Sequence, residues 1–163
     1  MSSQNKYKVA LIMGSDSDWK VMQEAYTFLK DFEIEVIAKV VSAHRTPMDL
    51  ELNAKEFESL DVKVIIAGAG GAAHLPGMMA SYTTLPVIGV PVNVTALNGM
   101  DSLLSIVQMP KGIPVATVAI NNSTNAAILA LSMMSSFDSN LKMKLKKYKN
   151  ELAEASRNKK LPL

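Results

Sequence analysis

The chain has no cysteine and only two histidines among its 163 residues. The lack of cysteine excludes disulfides and thiolate metal ligands, and it is typical of proteins from a reducing compartment. No apolar run approaches the roughly 18 residues that a membrane-spanning helix needs, and no apolar signal core follows the polar start MSSQNKYK. The net charge of +2 is too small to require a polyanionic partner such as nucleic acid. We therefore expect a cytoplasmic protein that has no membrane-spanning segment.

Short runs rich in Val and Ile alternate with segments of helical period. The runs that indicate strands cover residues 8–13, 36–41, 62–67, 86–90 and 114–119. After the first run, Trp19, Met22, Ala25 and Leu29 recur at the three- and four-residue spacing of a helix. This alternation predicts an α/β fold: a flavodoxin-like, three-layer, doubly wound parallel sheet of about five strands. The length of the chain predicts a single domain over residues 1–163.

The start of the second helix carries its own signal. Thr46 is a suitable N-cap, and Pro47 is a favoured first helical residue. Asp49 follows at the third position after Thr46, which resembles a capping box. We therefore expect this helix to begin at Pro47 under a side-chain cap.

Residues 138–160 predict an extra, charged helix at the C-terminus. Its apolar positions, Leu141, Leu145, Tyr148 and Leu152, form a narrow stripe. The preceding residues already complete the sheet, so we expect the stripe to pack on a neighbouring subunit. A nucleic-acid role for the lysines of this helix is the less favoured interpretation.

A polar or glycine-bearing segment follows each predicted strand. In chain order the segments are GSDSD, SAHRTP, GAGGAAH, PVNVTALNG and INNSTN. Ligands of open α/β sheets bind outside the carboxyl ends of the strands, so these segments are expected to surround one site. Gly68, Gly70 and Gly71 permit positive φ angles and close backbone approach to an anion or a planar ring. They form neither a GxGxxG fingerprint nor a phosphate-binding loop with its lysine.

Both histidines lie in these segments, His44 in the second and His74 in the third. A single histidine is more often a hydrogen-bonded surface group than a catalyst, but two at matching positions favour a function. Beside His44, Ser42 offers a hydroxyl and Arg45 a planar cation suited to an anionic substrate. The imidazole itself can transfer protons near neutral pH. No spacing of His, Asp or Glu indicates a metal site.

Five ordered motifs carry a family resemblance. They are MGSDSDW (13–19), VVSAHRTP (40–47), IIAGAGGAAHLPGM (65–78), LPVIGVPV (85–92) and GMDSLLSIVQMPKGIPVATVAI (99–120). Together they resemble the 5-(carboxyamino)imidazole ribonucleotide mutases, the class I form of the aminoimidazole ribonucleotide carboxylase family. The resemblance extends over residues 8–130. The similar carboxylases of animals, which take free carbon dioxide, lack the GAGGAAHLPG pattern, so the resemblance is to the mutases.

The resemblance implies an isomerase of de novo purine biosynthesis. Such an enzyme moves a carboxylate from the exocyclic amine of its ribonucleotide substrate to the adjacent imidazole carbon, giving 4-carboxy-5-aminoimidazole ribonucleotide. It uses no cofactor, metal or ATP. The carbamate loses carbon dioxide in a closed pocket, the ring carbon is recarboxylated, and a histidine transfers the proton of that carbon.

The resemblance also assigns roles to residues of this chain. Ser15 and Asp18 match substrate-binding residues, where a carboxylate can accept both ribose hydroxyls. Ser42 and Arg45 match the phosphate-binding residues, and His44 matches the general acid and base. The wall that holds the imidazole and the migrating carboxylate is matched by Ala69, Gly70, Gly71, His74 and Leu75.

The chain departs from the family pattern after the fifth strand. A turn rich in glycine and alanine is replaced there by INNSTNAA (120–127), which changes the expected backbone shape but none of the assigned positions. Family members are homo-octamers whose C-terminal helix crosses to a neighbour, in agreement with the apolar stripe of residues 138–160.

The residues leave one alternative open, a flavodoxin-like module that binds a nucleotide or sugar phosphate without turning it over. The fold does not decide between the two, because one fold serves many functions. A binding module needs Arg45 and Asp18, but it has no need of the titrating imidazole of His44.

Overall fold

The computed structural model describes residues 7–162, which form a parallel sheet with helices on both of its faces. In chain order the elements are β1 (Lys8–Met13), a 3-10 turn (Asp16–Asp18), α1 (Trp19–Asp31), β2 (Glu35–Val40), α2 (Pro47–Ser59), β3 (Val62–Gly70), α3 (Leu75–Tyr82), β4 (Val87–Val92), α4 (Met100–Val107), β5 (Ala116–Thr117), α5 (Ser123–Ser135) and α6 (Ser139–Arg157). Among the described residues, no helix is both long and apolar enough to cross a membrane.

The strands lie in the order β2-β1-β3-β4-β5, and every neighbouring pair is parallel. This confirms the predicted α/β class and the flavodoxin-like, doubly wound sheet. The chain runs from β1 outward to β2 and then returns past β1 to β3. At such a reversal the connections leave toward opposite faces of the sheet and open a crevice at the carboxyl ends of the strands. The reversal between β1 and β3 therefore determines where a ligand can enter.

The two faces of the sheet have separate apolar layers because successive strand residues point to opposite sides. Ile12 belongs to the core cluster that also contains Phe57 of α2 and Met79 of α3, and all three are fully buried. On the other face, the buried Ser123 of α5 joins α1. Its hydroxyl donates to the Val21 carbonyl (2.5 Å) and accepts the Ala25 amide (3.2 Å).

The segment that departs from the family pattern has a defined structure. Asn121 has a φ of 57°, and asparagine tolerates this left-handed conformation better than most residues do. Its side-chain oxygen accepts the Asn93 amide at 2.8 Å, which links the segments that follow β4 and β5. Asn121 thus supplies locally both the backbone freedom of a glycine and a cross-link that glycine lacks.

Several strand boundaries differ from those that the apolar runs predict. β3 and β4 continue to Gly70 and Val92, and these two residues are paired in register. The hydrophobic pattern misses the extension of β3 because Ala and Gly carry little strand signal, although their backbones can still pair. It misses the extension of β4 because Pro91 is unfavourable within a strand. β5 is only two residues long, at the edge of the sheet, where the preceding Pro114 has no backbone N–H to donate.

The predicted start of α2 at Pro47 is confirmed, but the predicted capping box of Thr46 and Asp49 is wrong. Thr46 is the N-cap and Pro47 is the first helical residue, yet the Thr46 side chain caps no amide. Its hydroxyl donates instead to the Ser42 carbonyl at 3.2 Å, because the tight turn that precedes the helix brings that acceptor close. A capping box is found at Ser15 and Asp18, at the entrance to α1.

The chain divides into two compact units between Ala130 and Leu131. The first contains the sheet. The second contains α6, whose N-cap Asp138 accepts the backbone N–H groups of Asn140 and Leu141 (2.8 and 3.0 Å). Leu141 and Leu145 are buried, whereas Leu152 is 52% exposed. Only the later part of the predicted stripe is therefore open, and its packing on a neighbouring subunit remains a prediction.

Candidate active site

A cavity of about 370 Å³ lies at the carboxyl ends of β1, β2 and β3, beside the reversal of strand order. Its walls are formed by Gly14, Ser15, Ser17, Asp18, Ser42, Ala43, His44, Arg45, Ala69, Gly70, Ala72, His74, Leu75 and Val94. The structure thus brings every residue to which the family resemblance assigns a role, except Gly71, to the wall of one cavity.

The segment after β1 presents a buried carboxylate. Asp18 is 4% exposed, and its Oδ2 accepts the Ser15 amide at 3.1 Å. The Ser15 hydroxyl accepts in return from the backbone of Asp18, which completes the capping box, and it also accepts from the Ser17 amide. Burial raises the pKa of Asp18 above its ordinary value, and hydrogen bonds from the Ser15 and Gly14 amides oppose that rise. The carboxylate is therefore held in one position at the cost of desolvation.

We expect Asp18→Asn to raise the melting temperature at neutral pH, because asparagine removes the desolvated charge. Asp18 has a raised pKa in the folded state, so its contribution to stability falls as pH rises from 3.8 through the folded pKa. The advantage of the variant should therefore vanish as pH falls through that window. Thermal unfolding of both proteins across the acidic range measures this, with the exposed Asp31→Asn as matched control. A variant less stable than the parent at neutral pH would contradict it.

The segment after β2 holds Arg45 in a fixed orientation. The Arg45 guanidinium donates from Nε to the Ser42 hydroxyl (3.0 Å) and from Nη2 to the Gly14 carbonyl (2.9 Å). The Arg45 amide also donates to the Ser42 hydroxyl, at 3.2 Å. A guanidinium has five N–H donors, so others remain for an anion in the cavity. Two segments from different strands thus orient one planar cation.

The two histidines meet across the cavity. The Nε2 atom of His44 lies 2.8 Å from the Nδ1 atom of His74, and the ring planes are nearly perpendicular, at 89°. His44 lies in the turn after β2, while His74 is the N-cap residue of α3. Both side chains are exposed in the single chain, so they are open to a ligand. In the part of the chain that the structure describes, no three His, Asp or Glu side chains are grouped to hold a metal ion.

The glycines after Ala67 act mainly through close packing. Gly68 and Gly70 belong to β3, and only Gly71 has a positive φ, of 65°. A Cβ atom on Gly70 would lie 2.2 Å from a methyl carbon of Val94, and one on Gly68 would lie 2.4 Å from the sulfur of Met22. The expectation of a glycine turn there is corrected: the strand continues to Gly70 and the turn begins at Gly71.

Ser102 is a residue of this region that the sequence analysis misses. The Gly71 amide donates to the Ser102 hydroxyl (2.8 Å), which donates to the Val92 carbonyl (2.8 Å). Ser102 is fully buried and lies one helical turn before the buried Ile106 of α4. The sequence signal that could have identified Ser102 is a serine on the otherwise apolar face of a helix. Because Ser102 takes the Gly71 amide, that amide supports the turn rather than facing the cavity.

Comparison with known proteins identifies relatives of the whole α/β unit. The model of the AIR carboxylase family matches residues 8–155. The N5-carboxyaminoimidazole ribonucleotide mutase of Pyrococcus abyssi is 59% identical over 145 residues, 89% of this chain and 83% of that protein. The mutase of the same name from Saccharolobus solfataricus is 58% identical over 145 residues, 89% of this chain and 92% of that protein. The crystal structure of Treponema denticola PurE is similar with a TM-score of 0.86 at 30% identity, covering 95% of this chain and 100% of that one.

Proposed function

The chain belongs to the AIR carboxylase family, and we propose that it is an N5-carboxyaminoimidazole ribonucleotide mutase of purine biosynthesis. In this reaction a carboxylate moves from the exocyclic amine to the adjacent imidazole carbon and gives 4-carboxy-5-aminoimidazole ribonucleotide. The observation that carries the proposal is a single cavity in which a pair of imidazoles lies beside an oriented guanidinium and a buried carboxylate. The mutases at 58 and 59% identity support the choice of substrate.

The non-reacting parts of the substrate bind to the first two segments in this proposal. The phosphate takes the remaining N–H donors of Arg45 and the proton of the Ser42 hydroxyl, whose oxygen already accepts from Arg45. The ribose hydroxyls donate to Asp18, assisted by Ser15. The residues that bind the phosphate and the ribose lie on backbone segments held by hydrogen bonds. Binding of these two groups therefore orients the imidazole ring of the substrate toward the histidines.

The reaction requires one acid–base group, which we assign to His44. As the N–C bond breaks, carbon dioxide leaves and the exocyclic nitrogen gains a proton. The ring carbon then forms a bond to carbon dioxide and loses its own proton. One imidazole can donate the first proton and accept the second, so it ends in its initial state. Ala69, Gly70, His74 and Leu75 form the wall on which base and carboxylate rest.

We propose that the reaction needs no metal, ATP or other cofactor. The bond that breaks and the bond that forms belong to the same carboxyl group, so the step is neither a redox reaction nor one that needs activation by a phosphoryl group. We also propose a cytoplasmic location without a nucleic-acid partner. The absence of cysteine and the small net charge support this.

An absorbance assay without ATP tests the proposed reaction. Purified protein is mixed with the carboxyamino ribonucleotide, and formation of the carboxylated imidazole is followed. The matched reaction supplies the uncarboxylated ribonucleotide with bicarbonate, which separates a mutase from a carboxylase that uses free carbon dioxide. Rapid conversion of the first substrate alone is expected. Tight binding of the substrate without conversion would instead favour the non-catalytic binding module.

We further propose that the protein is a homo-oligomer, an octamer if the family resemblance extends to assembly. Met100, Leu104 and Val107 form an exposed apolar stripe along α4 and are about half exposed. In the second unit, Phe137 is 91% exposed and Leu152 is 52% exposed. Surfaces of this kind are typical of protein interfaces. A neighbour at the cavity would also help to retain carbon dioxide between bond breaking and bond formation.

We expect removal of the residues after Asn140 to lower the oligomer order or its stability and to reduce activity, although the cavity residues remain. Light scattering coupled to size exclusion gives the mass, and the ATP-free assay on the same samples gives the activity.

Point variants separate this effect from misfolding of the second unit. Leu152→Asn changes an exposed apolar position and should weaken assembly, whereas the exposed Lys146→Gln on the same helix should not. A full-length protein that is fully active as a monomer would overturn the assembly proposal.

A further inference from the structure

We infer that Ser102 is a positioning residue for the proposed reaction. Its hydroxyl is inserted between the backbones of β3 and β4, ends their pairing, and directs the chain after Gly70 into the turn that forms a wall of the cavity. The inference rests on the proposed function for its kinetic consequence, whereas its structural part does not depend on the substrate. Ser102 is fully buried and lies outside the cavity wall, so it acts through the backbone and not by contact with a ligand.

The register of β3 and β4 shows where the inserted hydroxyl lies. The Ile65 amide donates to the Pro86 carbonyl at 2.9 Å, and each later pair of this kind follows two residues further along both strands. Gly70 is the last residue of β3 and is paired with Val92, so the next amide in the series is that of Gly71, with the Val92 carbonyl as its acceptor. A direct bond there would carry the strand pairing one step past Gly70.

The Ser102 hydroxyl takes the place of that direct bond. It accepts from the Gly71 amide at 2.8 Å and donates to the Val92 carbonyl at 2.8 Å. Both backbone groups thereby have a partner while the two strand ends stand apart by the width of one hydroxyl group. Gly71 has a φ of 65°, outside the strand conformation, and the chain leaves the sheet at this residue. The separation of the two strand ends is thus set by one side chain of α4.

The hydrogen bonds inside the turn define its shape but not its place relative to the sheet. The Ala73 amide donates to the Gly71 carbonyl at 2.8 Å. The His74 amide donates to the Ala72 carbonyl, also at 2.8 Å. Both bonds join residues that are only two apart in the chain. The place of the turn is set where Gly71 is joined to Ser102, and the wall residues that follow move with it.

The first turn of α4 gives Ser102 a fixed position. The carboxylate of Asp101, the residue before it, accepts the Thr95 hydroxyl at 2.6 Å, which fastens the helix to the loop after β4. The Ser105 hydroxyl bonds to the Asp101 carbonyl of its own helix at 2.7 Å and lies 3.5 Å from the Gly71 carbonyl. The shorter of the two serine contacts with Gly71 is therefore that of Ser102.

Loss of the Ser102 hydroxyl is expected to move this wall. In Ser102→Ala the Gly71 amide and the Val92 carbonyl lose their shared partner. They can meet only if the turn shifts toward β4 by on the order of 1 Å, since a direct N–H···O bond is about 2.9 Å long. A misplacement of about 1 Å can cost about a hundredfold in rate. The residues proposed to bind phosphate and ribose follow β1 and β2 instead, so substrate affinity should change less than turnover.

Ser123 provides a matched control in the same compact unit. It is also fully buried, and its hydroxyl also accepts a backbone amide, that of Ala25, and donates to a backbone carbonyl, that of Val21. This bridge joins α5 to α1, and none of its three residues lines the cavity. Ser102→Ala and Ser123→Ala should therefore lower the melting temperature by similar amounts, on the order of 5 °C. Only the first should displace the wall.

Crystal structures of both variants without substrate test the structural part. In Ser102→Ala we expect residues 71–75 to be displaced by on the order of 1 Å or to lose their order. In Ser123→Ala the same residues should superpose on the parent. An unmoved turn in Ser102→Ala, with a water molecule in place of the hydroxyl, would overturn the inference. This result stands even if the mutase assay fails, so the two proposals can fail separately.

Steady-state kinetics provide the second test. We expect Ser102→Ala to lower kcat by about tenfold or more, with KM changed less than kcat, and Ser123→Ala to keep the parental kcat. Ser102→Cys, whose thiol keeps a weak donor and a weak acceptor, should give an intermediate kcat. If Ser102→Ala does not fold, Ser102→Cys against Ser123→Cys gives the same comparison. Equal kcat values for the matched variants at the two positions would overturn the inference and leave Ser102 with a role in stability alone.

Discussion

Replacement of His44 by asparagine is expected to lower turnover by about a hundredfold or more, the usual contribution of a positioned acid–base group. The fold and product binding should stay nearly intact. The His44 side chain is exposed, and its turn is held by other groups: the Arg45 and Thr46 amides donate to the Ser42 hydroxyl and carbonyl. Asparagine retains polarity at this position but cannot titrate near neutral pH.

Three measurements separate lost chemistry from lost structure. Initial rates in the ATP-free assay give kcat, calorimetric titration with the product gives affinity, and thermal unfolding gives stability. Met48→Leu, a highly exposed position on the neighbouring helix α2, is the matched control and should behave like the parent. Near-normal turnover of His44→Asn would contradict the assignment of His44 as the acid–base group.

Replacement of Arg45 by alanine is expected to weaken product binding by about 2 kcal/mol or more, the usual worth of hydrogen bonds to charged groups. This corresponds to roughly a thirtyfold or greater rise in Kd. The structure adds a second reason for the loss. The guanidinium joins the Gly14 carbonyl to the Ser42 hydroxyl, so its removal also loosens the segments that follow β1 and β2.

Two comparisons locate the effect at the phosphate. Arg45→Lys keeps the charge but loses the planar fork, so it should recover only part of the affinity. The nucleoside form of the product, which lacks the phosphate, should lose less affinity in Arg45→Ala than the ribonucleotide does, and that smaller loss measures the loosening of the two segments. Lys55→Ala, which removes an exposed cation from α2, serves as control. Unchanged affinity of Arg45→Ala for the product ribonucleotide would contradict the assignment.

The sequence alone predicts the α/β class, the approximate place of each strand and the edge of the sheet that bears the cavity. These features are local or topological. Runs such as VKVIIA indicate buried parallel strands, and the carboxyl ends of such strands meet at one edge. For that reason the sequence predicts that the distant segments GSDSD, SAHRTP and GAGGAAH surround one site, whereas the choice of Ser15 and Leu75 as site residues comes from the family resemblance.

The contacts inside that site required the tertiary structure. Residue spacing cannot show that the imidazoles of His44 and His74 come within 2.8 Å, because their distance depends on the path of two separate turns across paired strands. It likewise cannot show that the Gly71 amide is taken by Ser102. Burial of Asp18, with its raised pKa, arises in the same way, from how the 3-10 turn folds over the end of β1. Periodicity determines which residues share a face or an edge, whereas packing between elements determines which atoms meet.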